Sequence, residues 1–119
     1  MSWPVLFHVA FAEEFQGFSQ SVQDEIAAIA GLLAAVGPLL RRPHADTLKG
    51  SHFANMKELR FDAFDGVWRV AFAFDPQRKA ILLVAGDKSG GSQDRFYRQL
   101  LAKADDRFGS HLSRLKKRN

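Results

Sequence analysis

The chain has 119 residues, of which 46% are hydrophobic and 12% aromatic, a size and composition that support one compact domain. It contains no cysteine, which excludes disulfides, thiolate metal sites and cysteine nucleophiles. The formal net charge of +4 favours polyanionic partners without identifying one.

The N-terminal segment, residues 1–11, has neither a positively charged leader nor a small-residue cleavage site. We expect no segment of the chain to approach the roughly 18 apolar residues that cross a membrane. These features predict a cytoplasmic protein with no membrane partner.

The first third of the chain predicts a strand followed by helical structure. Residues 5–11 alternate at period two, so they are predicted to form a strand in which His8 has a structural role. From Glu13 onward, apolar residues recur every three or four positions, which is typical of a helix lying on a core.

Two signals divide this helical segment. Ser19 or Ser21 is the predicted N-cap that separates a short helix from a longer one, and Gly37-Pro38 ends the longer helix. Residues 37–56 then show no clear periodicity, which predicts a long connection of a kind that is often functional.

Three strands and a helix are predicted in the remaining half. Residues 57–64 and 68–74 alternate as half-buried strands do, whereas residues 80–86 are apolar throughout, as in a strand that is central or covered on both faces. Residues 96–115 carry a helical apolar stripe. The order predicts a single domain over residues 1–119 of the α+β class, an antiparallel sheet with an N-terminal helical pair and a C-terminal helix packed on one face.

Basic side chains occupy the polar face of the predicted strands. Arg69 points away from the apolar face of its strand, so we expect it to be dispensable for core packing. Arg60 lies on the polar face of the neighbouring strand and Lys88 at the exit of the third, so an antiparallel sheet allows the three cations to converge. Such a set suits a phosphodiester, because guanidinium groups bind phosphate oxygens in pairs. The alternative is that these are solvated arginines paired with Glu58, Asp62 and Asp87.

RNA cleavage needs no metal when the 2′-hydroxyl of the RNA attacks the adjacent phosphate and side chains move the protons. The sequence shows no carboxylate cluster, P-loop, G-x-S-x-G or dinucleotide-binding glycine pattern, so no metal and no cofactor are predicted. His44 and His111 are interpreted as bystanders. The candidate proton movers, for each of which a surface or core role is equally open, are Lys49, His52, Lys57 and Tyr97. The candidate RNA contacts, which in the tail are equally explained as a solvated end, are Lys57, Arg95, Lys116, Lys117 and Arg118.

Several blocks of the sequence resemble HigB-like toxins of the RelE/ParE toxin–antitoxin superfamily, in the branch of phage-derived proteins. The resemblance covers essentially the whole chain in order and spacing, and "KELR" and "WRVAFAFDP" are its most specific parts. The blocks are residues 48–52, 55–60, 68–75, 86–88, 95–97 and 104–105.

This resemblance implies a compact antiparallel sheet with helices on one side and a toxin that cleaves mRNA, usually in the ribosomal A site. Arg60, Arg69 and Lys88 match positions where the family keeps basic residues for RNA. A small helix-turn-helix antitoxin encoded alongside is the implied partner. Two alternatives stay open, a ParE-like inhibitor of DNA gyrase and a non-catalytic module that only binds an antitoxin.

Overall fold

Residues 2–63 and 66–117, which the computed structural model describes, form five strands and three α-helices. In chain order they are β1 (Val5–Phe7), α1 (Val9–Gln16), α2 (Gln20–Val36), β2 (Ala45–Thr47), β3 (Lys57–Ala63), β4 (Gly66–Phe74), β5 (Ala80–Asp87) and α3 (Gln93–Lys117), with a 3-10 turn at Gly37–Leu39 after α2. The α+β class is confirmed. Residue 64, the predicted end of β3, lies outside the described residues.

The sheet has the order β1-β5-β4-β3-β2 and is mixed. Strands β2 to β5 are antiparallel to their neighbours, but β1 runs parallel to β5, with Leu6 beside Ile81. The expectation of a purely antiparallel sheet was therefore wrong. A parallel pair needs a long connection, and the residues between β1 and β5, which include both N-terminal helices, supply it.

Helices cover both faces of the sheet rather than one. Val70 and Phe72 of β4 pack with α1 and α2, whereas Ala71 and Ala73 between them pack with Leu100 and other residues of α3. The prediction of helices on one face was wrong in this respect. The continuous apolar run of β5 already indicated a strand covered on both faces, and that interpretation is confirmed, because Ile81 and Leu82 are buried in different clusters.

The first strand is shorter than predicted. It ends at Phe7, and the next residue, His8, is the N-cap of α1, where its side chain accepts a hydrogen bond from the Ala10 amide. The period-two pattern misled because Phe7, Phe11 and Phe15 are also four residues apart, which is a helical spacing. The Phe7 ring packs on the other two, with centroid distances of 5.0 and 5.2 Å.

The predicted division of the N-terminal helices is confirmed. Ser19 is the N-cap of α2, and its hydroxyl accepts from the Val22 amide at 3.3 Å. The helix ends at Gly37, whose φ of 69° suits glycine and whose missing side chain leaves space for the Trp3 ring.

The connection 37–56 contains a strand that the pattern did not show. Ala45–Thr47 pairs antiparallel with β3, and the loop that follows is closed by a hydrogen bond from the Leu48 amide to the Met56 carbonyl. Three residues are too few for a period-two pattern to be recognised, so this strand is identified only by its partner.

The helical segment Gln20–Leu39, with a mean hydropathy of 1.4, is long and apolar enough to cross a membrane by length and composition alone. The expectation that no segment approaches this limit was wrong. The buried face of α2, which packs on the sheet, accounts for part of this apolarity through Val22, Ile26, Ile29 and Leu33.

The buried cap His8 predicts a pH-dependent stability. Burial, followed by the charges of Arg114, Arg107 and His111, lowers the pKa of His8 below 6.5, although Asp106 opposes this. As the pH falls below 6.5, the unfolded chain binds a proton that the folded chain resists, so the free energy of unfolding falls until the pH passes the lowered pKa.

Urea unfolding between pH 7.5 and pH 5 measures this effect. The variant His8→Asn keeps a side-chain acceptor for the cap but does not titrate. The loss of stability below pH 6.5 should be smaller in this variant than in the wild type. An equal loss in both proteins would remove His8 as its source.

Candidate active site

Arg60 and Arg69 are directly opposite each other on β3 and β4. Between them lies Glu58, whose Oε2 accepts from Arg60 Nη1 at 2.8 Å and whose Oε1 is 3.9 Å from Arg69 Nε. One carboxylate between two guanidinium groups leaves the cluster with one net positive charge. We call Glu58, Arg60 and Arg69 the arginine cluster.

The cluster is more buried than the sequence suggests. Glu58 and Arg69 have only 4% and 5% of their surfaces exposed, so Arg69 is neither solvated nor independent of the core. Arg69 Nη1 donates to the Trp68 carbonyl at 2.9 Å. The expectation that Arg69 is dispensable for packing was wrong, because the face it occupies is covered by α3.

Two polar atoms of the cluster are unsatisfied. Among the residues that the structure describes, Glu58 Oε1 and Arg69 Nε are buried and have no hydrogen-bond partner. Buried polar groups nearly always find partners, and exceptions are frequent at functional sites. The separation of 3.9 Å between these atoms therefore marks the cluster as a candidate site.

The first turns of α3 cover the cluster. Phe96 packs against Gly86, the β5 residue beside Arg69, so closely that a side chain at Gly86 would collide with its ring. The next residue, Tyr97, lies beside the cluster. Burial, and next the charge of Glu58, raise the pKa of Tyr97 above 10, although Arg69 opposes this. Tyr97 is therefore a neutral phenol near pH 7, which can donate a proton but is a poor acceptor.

A cavity of 490 Å³ reaches the arginines from the edge of the sheet. It is lined by Arg60, Arg69, His44 and Asp62, with the exposed side of α2 opposite. It lies beside the start of β2, since the first residue of that strand, Ala45, pairs with Leu59 and β3 continues beyond this pair. A ligand therefore reaches the cluster past β2 and not from above the sheet.

His44 is a site residue that the sequence analysis assigned to the bystanders. Its carbonyl accepts from the Arg60 amide at 2.8 Å, which fixes it next to the cluster. No local pattern signals this, because the contact depends on the pairing of β2 with β3. Glu58 was detectable, since it shares the polar face of β3 with Arg60.

The other predicted proton movers lie elsewhere. The loop with Lys49 and His52 docks on the middle of α3, where the His52 amide donates to Asp105 at 3.0 Å. Asp105 is eight residues beyond Tyr97, or about 12 Å along the helix. Lys57 is on the opposite face of the sheet, and its ammonium donates to the Pro38 carbonyl at 3.1 Å.

The remaining basic candidates are distributed along the molecule. Lys88 follows β5 near the cluster, and its amide donates to Val67 at 2.8 Å. Arg95 is exposed in the first turn of α3. Lys116 and Lys117 end α3 about 29 Å from Tyr97, too far to act on the same phosphate. Arg118 lies outside the described residues.

The sheet, the helices on its two faces and the arginine cluster under α3 define the class of fold. An arginine double mutant of the E. coli toxin RelE, solved in the free state, matches with a TM-score of 0.61 over 87% of this chain and 97% of that one. The two sequences are 10% identical, so this match shows the fold, which is RelE-like.

Sequence comparison identifies the family. Residues 13–109 match the profile of the family "Phage derived protein Gp49-like (DUF891)". Two relatives from Mycobacterium tuberculosis (strain ATCC 25618 / H37Rv) are named putative toxin HigB2, 38% identical over 82% of this chain, and putative toxin HigB3, 46% identical over 71% of it. The chain spans 48% of the length of HigB2 and 75% of HigB3. It belongs to the Gp49-like family, and its resemblance to HigB-like toxins of the RelE superfamily is confirmed.

Proposed function

We propose that this chain is the toxin of a type II toxin–antitoxin system and inhibits translation in the cytoplasm by cutting mRNA on the ribosome without a metal ion or cofactor. The observation that carries this proposal is the pair Arg60 and Arg69, opposite each other at the wall of an open 490 Å³ cavity. Membership of a toxin family implies an antitoxin partner, and we propose a helix-turn-helix protein encoded alongside.

The chemistry follows from the cluster and from RNA itself. The 2′-oxygen attacks the adjacent phosphorus, its proton passes to a base, the bond from phosphorus to the 5′-oxygen breaks, and that oxygen takes up a proton. The products are a 2′,3′-cyclic phosphate and a 5′-hydroxyl. Negative charge grows on the non-bridging oxygens, where a fixed guanidinium stabilises it.

The structure suggests different roles for the two arginines. The Arg60 side chain is 22% exposed and reaches the cavity, so it can donate to a phosphate oxygen. Arg69 is buried behind it and supplies charge while it orients Glu58. His44 lines the same cavity, and an imidazole is a side chain that can accept and donate a proton during the reaction.

Cleavage of an mRNA by the purified chain in the presence of ribosomes, with and without a chelator, tests the proposal. We expect cleavage that survives the chelator. Loss of supercoiling while translation continues would favour gyrase inhibition, and antitoxin binding with neither effect would favour a non-catalytic module.

Replacing Arg60 should reduce cleavage while the fold is kept. The variant Arg60→Ala removes the charge-assisted contact to the phosphate, which we expect to cost about 100-fold in rate. Its thermal midpoint should fall, because the buried Glu58 carboxylate loses the guanidinium that binds its Oε2 at 2.8 Å, but the space left by the partly exposed side chain is open to water, so the protein should stay folded.

Arg42→Ala is the matched control for this prediction, since it removes an exposed arginine that pairs with Asp46 outside the cavity. It should cleave like the wild type. Equal activity of the Arg60 and Arg42 variants would exclude Arg60 from the site.

A further inference from the structure

A second cavity of 490 Å³ lies at the opposite edge of the sheet, between β1 and the C-terminal half of α3. Its apolar walls include Leu6 and Val9, and its polar lining consists of His8, His111 and Arg114. We call it the β1–α3 groove. Strand β1 is three strand positions from β3, so the groove is about 14 Å across the sheet from Arg60.

Two hydrogen-bond donors face each other in this groove. The Ala10 amide donates to His8 Nδ1 at 3.1 Å, so the hydrogen of the neutral ring is on Nε2. Arg114 Nη2, which can only donate, lies 3.2 Å from that same Nε2. In the part of the chain that the structure describes, no oxygen accepts from either atom. His8 is nine-tenths buried, so water alone is a poor substitute for the missing acceptor.

Two nearby carboxylates are already bound, and a third, that of Asp106, makes no hydrogen bond to His8 or Arg114 among the described residues, although its charge raises the pKa of His8. Glu14 accepts from both terminal nitrogens of Arg107, at 2.8 and 2.7 Å. The fully buried Asp75 side chain accepts from His111 Nε2 at 2.8 Å and from two amides of the β4–β5 turn. Among the described residues, none of these three carboxylates accepts a hydrogen bond from His8 or Arg114. The donors therefore present positive potential to an incoming anion.

The walls of the groove indicate what kind of molecule carries that anion. Leu6 and Val9 are 44% and 57% exposed, and they flank the buried donor His8. Exposed apolar side chains around a few convergent polar groups are typical of a protein-binding surface. A nucleic acid backbone offers phosphates but no apolar side chains that would cover Leu6 and Val9.

We propose that the β1–α3 groove binds an aspartate or glutamate of the antitoxin, whose carboxylate accepts from His8 Nε2 and Arg114 Nη2 while its apolar neighbours cover Leu6 and Val9. The identity of the partner rests on the proposed function. This contact holds the partner at the edge of the sheet away from the cavity with Arg60, so it secures the complex without itself filling that cavity.

The test measures the affinity of purified variants for the antitoxin encoded by the adjacent reading frame, by calorimetry. Arg114→Gln removes the charge from an exposed side chain and should weaken binding about 30-fold. Val9→Asp places a carboxylate in the groove and should weaken binding by a similar factor. Lys103→Gln is the matched control, because it removes one charge from the same helix outside the groove, and it should bind like the wild type.

Wild-type affinity of both Arg114→Gln and Val9→Asp would overturn the proposal. Unchanged antitoxin binding with weaker RNA binding would instead make Arg114 a phosphate contact. A wild-type chain that does not bind the antitoxin overturns the choice of partner.

Long-range proton–nitrogen NMR of His8 provides a direct measurement of the donor geometry. We expect the tautomer with hydrogen on Nε2 in the free protein, and a shift of the Nε2 resonance when the antitoxin is added. A ring protonated on Nδ1 would contradict the argument from the cap. Cleavage assays on the same variants separate the two proposals. If both proposals hold, the groove variants should bind the antitoxin less tightly but cleave mRNA like the wild type. If the wild-type protein does not cleave mRNA but its antitoxin binding still depends on the groove, only the proposed nuclease activity is refuted.

Discussion

Replacing Arg69 by alanine should destabilise the protein by about 3 kcal/mol, because it leaves the buried Glu58 carboxylate with one of its two cationic partners removed. Urea unfolding measures this change. The expected loss is larger than for Arg60→Ala, although Arg60 is the closer partner of Glu58 and the two arginines are neighbours on adjacent strands. The reason is burial, since solvent can hydrate what remains at Arg60 but not at Arg69.

A double variant separates the structural role of Arg69 from a catalytic one. Glu58→Gln together with Arg69→Met removes both buried charges and keeps side chains of similar volume, so stability should return to near the wild-type value. If this folded protein has lost ribosome-dependent cleavage, the cluster acts in catalysis. If it cleaves at the wild-type rate, the ion pair has only a structural role and Arg69 is not part of the active site.

Replacing His44 by glutamine should lower the cleavage rate by a factor of about 100 or more, because a side chain that moves a proton in the transition state contributes that much. Thermal stability should be unaffected, since the His44 side chain is exposed and the contact that positions Arg60 is made by the His44 carbonyl. Ribosome-dependent cleavage by the purified variant measures this loss.

Tyr97→Phe is the matched control for His44, since it removes a hydroxyl beside the cluster but outside the cavity lining. We expect a loss of less than about tenfold, as for a group that positions Glu58 and Arg69 rather than one that transfers the proton. If Tyr97→Phe lowers the cleavage rate by about 100-fold while His44→Gln is fully active, Tyr97 transfers the proton and His44 does not.

The alternation in β3 and β4 was sufficient to place Arg60 and Arg69 on one face, because period two fixes the face of every residue in a strand. It could not tell what covers that face. Ala71 and Ala73, which share that face of β4 with Arg69, pack against α3. Small apolar residues on a strand allow a helix to pack closely as readily as they allow a ligand to bind, and only the tertiary structure shows which of the two occupies the face.

The entrance to the site was not predictable for a different reason. It depends on where β2 begins, and a strand of three residues has no periodicity of its own. His44 therefore occupies a position set by pairing with a strand more than ten residues later in the chain. The role of His8 was not predictable either. Its side chain caps α1, and the alternating pattern of residues 5–11 did not show that a helix begins there.

The short edge strands of the sheet affect how readily the chain can pair with other sheets when no partner protein is bound. Both edge strands, β1 and β2, are only three residues long, whereas the longer strands β3, β4 and β5 are in the interior of the sheet. Each edge strand therefore offers only a short row of unpaired peptide groups to another sheet, and the remainder of each edge is formed by the parts of β3 and β5 that extend beyond it. Two interrupted edges of this kind give a poorer template for intermolecular strand pairing than one long continuous edge strand would, and this protection is present in the chain itself, with or without a bound protein.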